Sequence, residues 1–202
     1  MKMVLATKNR GKLREFNDIF EDLGLAKKIP LLSLLDFPDL PDALENGSTF
    51  SENALIKARL ATKTGYVSIA DDSGISVNAL SGVPGINSAR YAGPNATDED
   101  NNRKLLSELL EIPEVERKAT FISVIAFVTP DGREAVFEGS CDGMILKSPR
   151  GEGGFGYDPI FLYPPMGKTF SEMTDIEKNK ISHRRRAIEK LAEVLPDFIS
   201  RR

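Results

Sequence analysis

The sequence predicts an α/β protein, a mixed β-sheet with helices packed around it. Three observations carry this reading. The chain opens on a short strand, a basic loop and a helix. Apolar residues then recur at helical spacing in several separate segments, and the middle of the chain holds two long β-type runs joined by Pro130-Asp131-Gly132. Strand–helix alternation favours parallel pairing and a hairpin is antiparallel by construction, so the sheet is mixed.

The first strand falls at residues 3–6. In the helix that follows, Leu13, Phe16, Ile19, Phe20 and Leu23 share one face, and Gly24 sits just beyond its end. Residues 29–46, rich in proline and acid, read as a loop with room for one short strand. Thr49-Phe50-Ser51-Glu52 is a capping box that starts a second helix, with Phe50, Ala54, Leu55, Ala58 and Ala61 on one face and Gly65 as its stop. Residues 66–70 read as a buried strand ending in Asp71-Asp72-Ser73-Gly74. A third helix follows Thr97, with Leu105, Leu106, Leu109 and Leu110 inward and Pro113 past its end. The hairpin covers 119–129 and 134–140, and a glycine-rich loop covers 151–158. Thr174-Asp175-Ile176-Glu177 is a further capping box, and the last helix buries Ala187, Ile188, Leu191, Ala192 and Leu195.

At 202 residues with no visible linker or repeat, the chain is expected to form a single domain, 1–202, large enough to bury a core without a disulfide or structural metal. A hydrophobic content of 41% is too high for disorder. No apolar run approaches the ~18 residues of a membrane span, and the N-terminus does not read as a signal peptide. The single cysteine, Cys141, cannot form an internal disulfide, which agrees with a reducing cytoplasm. With 27 basic against 30 acidic residues, the net charge of −3 argues against a nucleic-acid polymer as partner but allows a local basic pocket.

Several segments carry chemistry. The loop Thr7-Lys8-Asn9-Arg10-Gly11-Lys12 joins a strand to a helix N-terminus, where free N–H groups and the helix dipole favour an anion. It also reads as a solvated turn, and it lacks the spacing of a Walker A loop. Asp71 and Asp72 follow an apolar strand where ligands of open α/β sheets bind, and strand alternation points them to opposite sides. One of them can hold Mg²⁺ or take a proton from water; the alternative is an Asx-turn that closes the strand. Glu52 already has a capping role, which leaves Glu45 as the better second metal carboxylate. Asn53 and Lys57 are within reach of the same place, but each alone reads as a surface residue.

In the loop from Gly151 to Gly156, glycine permits close backbone approach, and Phe155 and Tyr157 offer aromatic faces to a base. A turn whose Phe155 plugs the core is the competing reading. The segment 178–186 is strongly basic, and Ser182 as N-cap would place His183 and Arg184 at the positive end of the last helix, a conflict that an anion would relieve. His183 is the only histidine, which excludes a His-rich metal site. Cys141 lies in a strand and reads as packing. Two basic anion sites, carboxylates for a hard cation and an aromatic–glycine loop together fit a Mg²⁺-bound nucleotide.

Six ordered motifs then carry a resemblance: Ala6-Thr7-Lys8-Asn9-Arg10-Gly11-Lys12, Thr49-Phe50-Ser51-Glu52-Asn53-Ala54, Ala70-Asp71-Asp72-Ser73-Gly74, Pro84-Gly85-Ile86-Asn87-Ser88-Ala89-Arg90-Tyr91, Gly154-Phe155-Gly156-Tyr157-Asp158-Pro159 and Ser182-His183-Arg184. Over essentially its whole length the chain resembles the Ham1/inosine triphosphatase family of non-canonical purine nucleoside triphosphate pyrophosphatases. The resemblance implies an elongated mixed sheet flanked by helices, with two lobes around a central nucleotide cleft, in a cytoplasmic homodimer. It implies Mg²⁺-dependent hydrolysis of ITP, dITP and XTP to the monophosphate and pyrophosphate. By motif position Asp72 would be the catalytic carboxylate and a metal ligand, with Glu45 a further metal ligand. Thr7, Lys8, Asn9, Arg10, Gly11, Lys12 and Lys178 would hold substrate, mainly its phosphates, with Ser73 nearby. Phe155, Gly156, Tyr157 and Asp158 would receive base and sugar, and His183 and Arg184 would contact the base edge. The Maf-like pyrophosphatases, which also open with a strand, basic loop and helix, are the runner-up; strong dTTP or UTP turnover would favour them.

Overall fold

A computed structural model describes residues 2–200; Met1, Arg201 and Arg202, the ends of the expected 1–202 domain, lie outside the described residues. Seven strands hydrogen-bond in the order β2-β1-β3-β4-β5-β6-β7, with β1 at Met3–Leu5, β2 at Leu31–Ser33, β3 at Val67–Val77, β4 at Lys118–Val128, β5 at Glu134–Ile145, β6 at Phe161–Tyr163 and β7 at Lys168–Thr169. β1 runs parallel to both β2 and β3, whereas β6 runs antiparallel to β5 and β7. The sheet is mixed, as the sequence predicts. Among the described residues the α-helices are α1 (Arg10–Asp22), α2 (Phe50–Ala61), α3 (Asp98–Glu108), α4 (Asp175–Ile181) and α5 (His183–Ser200).

The chain packs as two compact units. One comprises the residues up to Asp72, Ser123–Gly139 and the residues from Arg184 on; the other comprises Ser73–Ile122 and Ser140–His183. In the first unit, Phe16, Ile19 and Phe20 of α1 and Ala187, Ile188, Leu191 and Leu195 of α5 pack with Met3, Leu5, Ile69, Ile125 and Phe127 of the sheet. Each large side chain removed from water contributes roughly 1.5–3 kcal/mol. Asn9 caps α1 by accepting the N–H of Lys12 at 3.0 Å, and Gly24, at φ 68°, ends it.

In the second unit, Leu105 of α3 and Leu109 just past its end pack with Ile75, Val77, Cys141 and a cluster of Phe121, Phe161 and Phe170. The Phe121 and Phe161 ring centroids lie 4.5 Å apart. Buried Arg117 donates to the carbonyls of Leu109, Leu110, Ile112 and Leu146, closing the C-terminal end of α3.

Four expectations need correction. The strand at 66–70 does not end at the aspartates: β3 continues to Val77, carrying both buried aspartates inside it. Neighbouring cations pair these carboxylates, so a strand interior tolerates them. The hairpin's second strand runs five residues further, to Ile145, because β6 supplies a further partner edge. Leu110 is 72% exposed because α3 ends at Glu108. At α2, Thr49 accepts the N–H of Glu52, but the Glu52 carboxylate takes the Ser48 N–H at 2.6 Å, so the reciprocal half of the capping box is displaced by one residue.

Candidate active site

The first unit gathers one charged group. In the parallel register Leu5 lies opposite Ile69, and β1 ends there while β3 runs on. Asp71 and Asp72 therefore emerge just past the carboxyl end of β1, the ligand-binding edge of such sheets. The loop at 7–12 leaves β1 at the same end. In α1 no acidic residue occupies the first turn, so the helix N-terminus keeps its preference for an anion.

Asp71 is held from several sides. The Lys12 ammonium lies 2.8 Å from its carboxylate, Arg184 donates to it at 3.0 Å, and the Ser123 hydroxyl donates at 2.6 Å. Arg184 is buried and pairs with Glu15 of α1 as well. Burial pushes the Asp71 carboxyl up, but Arg184, Lys12 and Ser123 outweigh it and hold it well below the usual carboxylate range. For Lys12 the balance reverses: burial lowers its pKa more than Asp71 raises it, with Lys57 and Arg184 adding to the fall.

Asp72 points the other way. Its carboxylate meets the Lys57 ammonium of α2 at 2.6 Å, and Glu45 approaches the same ammonium at 3.5 Å. Burial raises the Asp72 pKa despite Lys57, and Glu45 adds to the rise. Two carboxylates thus converge on one cation. Among the described residues no group of three His, Cys, Asp or Glu side chains is placed to hold a metal. A pair of carboxylates nevertheless fits Mg²⁺, which is commonly bound through one or two carboxylates plus water and substrate phosphate.

The remaining members of the loop have other partners. Thr7 accepts the Asn9 N–H, Asn9 caps α1, and Lys8 pairs with Asp42 at 2.6 Å on the surface. Arg10 is exposed, Gly11 is half-buried, and Ser73 is half-buried on β3.

The second unit holds a separate group. The Lys178 ammonium of α4 is buried, 2.5 Å from Asp158 and 4.7 Å from the Phe155 ring centroid. Asp158 also accepts the Phe155 N–H at 3.0 Å. A Cβ at Gly154, at φ +76°, would collide with the Asp158 carboxylate, so this close approach requires glycine. The Tyr157 hydroxyl donates to the Ser88 carbonyl at 2.8 Å, while the Ser88 hydroxyl accepts the Ile75 N–H and donates to the Gly85 carbonyl. His183 opens α5 and stacks on Phe121 with centroids 4.8 Å apart. Arg184, the next residue, begins the last segment of the first unit and is the one paired with Asp71. The conflict of a cation at this helix start is relieved by Glu15 and Asp71 of the chain itself.

Glu15 is the residue that sequence reasoning passed over, and Lys57, read singly as a surface residue, instead pairs with Asp72 and Glu45. Both carried a signal. Lys57 sits three residues after Ala54 and four before Ala61, on the small apolar face of α2; Glu15 sits four before Ile19 on the buried face of α1. A charge on a buried stripe needs a partner, and here each has one.

A layered α/β sheet with carboxylate and ammonium groups past the end of its parallel strands defines a class of protein that binds its ligand at that edge. Comparison with known proteins narrows this. The model of the Ham1 family matches residues 3–194, and the chain belongs to that family. It is 51% identical over 199 residues to a dITP/XTP pyrophosphatase of Geobacillus kaustophilus, covering 98% of this chain and 96% of that one. A dITP/XTP pyrophosphatase of Geobacter sulfurreducens is 51% identical over 195 residues, covering 96% of each chain. Among solved structures, a HAM1 protein from Coxiella burnetii superposes with a TM-score of 0.86 at 42% identity, covering 98% of this chain and 99% of that one.

Proposed function

We propose that this chain is a nucleoside triphosphate pyrophosphohydrolase that converts ITP, dITP and XTP to the monophosphate and pyrophosphate. The observation that carries the reading is the convergence of Asp72 and Glu45 on the Lys57 ammonium, in a chain similar over nearly its full length to dITP/XTP pyrophosphatases.

Asp72 is the catalytic carboxylate: it accepts a proton from the water whose oxygen forms the new bond to the α-phosphorus. The α–β phosphoanhydride bond breaks, and pyrophosphate leaves with the bonding electron pair. Lys12 and Lys57, with the N-terminal end of α1, hold the phosphates and offset charge that builds on the leaving group. Asp72 and Glu45 are the residues that would hold Mg²⁺, and the ion, when bound, neutralises phosphate charge and polarises the phosphoryl oxygens. Ser73 follows the catalytic carboxylate, and Lys178 is assigned to the substrate as well. Phe155, Gly156, Tyr157 and Asp158 receive base and sugar, and His183 and Arg184 are assigned to the base edge. A site built for the 6-oxo pattern leaves buried groups unpaired when adenine is offered, which gives strong discrimination against ATP.

The enzyme acts in the cytoplasm as a homodimer. One buried free cysteine agrees with a reducing compartment, and no helix of the described residues is long and apolar enough to cross a membrane. Pyrophosphate release across ITP, dITP, XTP, GTP, ATP and dTTP, with and without Mg²⁺, tests the function. Preference for the 6-oxopurines and dependence on the metal are expected; strong dTTP turnover with weak dITP turnover rejects the reading. A mass measurement in solution tests the dimer.

A further inference from the structure

We infer that Asp98 and Asn102, on the first turns of α3, are positioning residues that fix the base-binding loop and so set how firmly the purine is held. The inference rests on the function proposed above.

Asp98 and Asn102 lie four residues apart and share one helix face. Between them they hold both polar groups of one residue of the glycine-rich loop. The Gly156 N–H donates to the Asp98 carboxylate at 2.6 Å, and the Asn102 amide donates to the Gly156 carbonyl at 2.9 Å. On the other side of Phe155, its own N–H is held by Asp158. The ring is thus carried on a stretch of backbone pinned at consecutive residues, by α3 and by the Asp158–Lys178 pair. Gly156 adopts φ +63°, a conformation that comes without strain only to glycine, so nothing in its own side chain fixes the loop.

The space around the loop shows why pinning matters. A cavity of about 500 Å³, bounded in part by Asp98, Asn102, Arg103, Leu106, Gly151 and Phe155, adjoins it. Backbone with open volume beside it and no side chain to wedge it has room to shift. The platform is firm by contrast. Thr97 and Asp100 form a reciprocal capping box at the start of α3, and Leu105 is fully buried in the core.

Asn102 supplies an independent observation. It is 7% exposed, and its Oδ1 has no hydrogen-bond partner among the described residues. A buried unsatisfied acceptor is costly, and an apolar residue of similar size would avoid that cost. What an apolar residue cannot do is donate to the Gly156 carbonyl. Neither residue is assigned contact with the substrate; both act through Gly156 and Phe155.

The test uses the full-length enzyme with Asp98→Ala, Asn102→Leu and Asp98→Asn. Asn102→Leu removes the unsatisfied acceptor along with the donor, so the fold is retained. KM for ITP is expected to rise about tenfold in Asp98→Ala and in Asn102→Leu, with kcat within about threefold of wild type. Inhibition by inorganic pyrophosphate, which has no base, is expected to stay unchanged. Asp98→Asn keeps an acceptor oxygen and is expected to restore KM. Hydrogen exchange across residues 151–158 should accelerate in Asp98→Ala and Asn102→Leu, a readout independent of turnover.

Accelerated exchange with KM unchanged overturns the inference. So does a parallel weakening of pyrophosphate inhibition, a fall in kcat alone, or a failure of Asp98→Asn to rescue. A wild-type protein inert on every 6-oxopurine triphosphate overturns the function on which the inference rests, and the inference with it; exchange then still reports whether α3 pins the loop.

Discussion

Asp71 and Asp72 are neighbours of the same type with opposite electrostatic fates. Asp71 is buried among Arg184, Lys12 and Ser123 and stays ionised, so it acts as an anchor for the cations. Asp72, where burial and Glu45 outweigh Lys57 and Lys12, is pushed the other way and is the group suited to exchange a proton. Asp72→Asn is therefore expected to lower ITP turnover by at least ~10²-fold while nucleotide binding persists, as read by steady-state kinetics beside equilibrium titration. Turnover at the wild-type level would remove Asp72 from the mechanism. Lys57→Met leaves Asp72 and Glu45 as facing acids without their shared cation and is expected to cost turnover by a similar factor. Glu15→Gln leaves buried Arg184 with Asp71 as its charged partner, and a loss of about 1.5–3 kcal/mol in urea-unfolding stability is expected. The aspartate pair and the 7–12 loop were legible because their residue types are rare together at a strand end. The partners of Arg184 were not, since Glu15, Asp71 and Arg184 are far apart in sequence and meet only through the packing of α1, β3 and α5.

At the level of elements, most starts and stops were written locally. Thr97 and Asp100 cap α3, Thr174 and Glu177 cap α4, and Gly24 and Gly65 take the left-handed conformations that end their helical segments. What local reading missed was where strands continue. β3 and β5 run past their apparent polar ends because a neighbouring strand or a cation satisfies them, and neither lies in the local pattern. Two predictions belong here. Arg117→Met leaves the carbonyls of Leu109, Leu110, Ile112 and Leu146 without their donor; a loss of about 3 kcal/mol is expected by urea unfolding, as unsatisfied buried groups cost about 1–3 kcal/mol each and some will find water. Glu177 titrates at about 2, lowered by Lys168 and by the Thr174 cap it completes. A depressed folded-state pKa stabilises above the unfolded value and loses that contribution as pH falls through the folded one. The stability gap between wild type and Glu177→Gln should therefore be present at about pH 6 and narrow toward about pH 2. A gap that stays constant would show that the charge contributes nothing.

Across the whole molecule, the chain passes between its two units after Asp72, Ile122, Gly139 and His183. Two of these passages fall at the Asp72–Ser73 and His183–Arg184 peptide bonds. Neither unit is one continuous stretch, and the proposal that 1–202 is a single domain predicts one cooperative urea transition, with coincident midpoints by far-UV dichroism and tyrosine absorbance. Two separated transitions would contradict it. The α/β class was readable from periodicity alone, but the interleaving was not, because it depends on contacts between distant segments.

In the proposed reaction water attacks the α-phosphorus and Asp72 accepts its proton. Hydrolysis of ITP in ¹⁸O-water, with mass analysis of both products, reads the site of attack. One ¹⁸O atom is expected in the monophosphate and none in the pyrophosphate. Label in the pyrophosphate, or release of a diphosphate with inorganic phosphate, would contradict it.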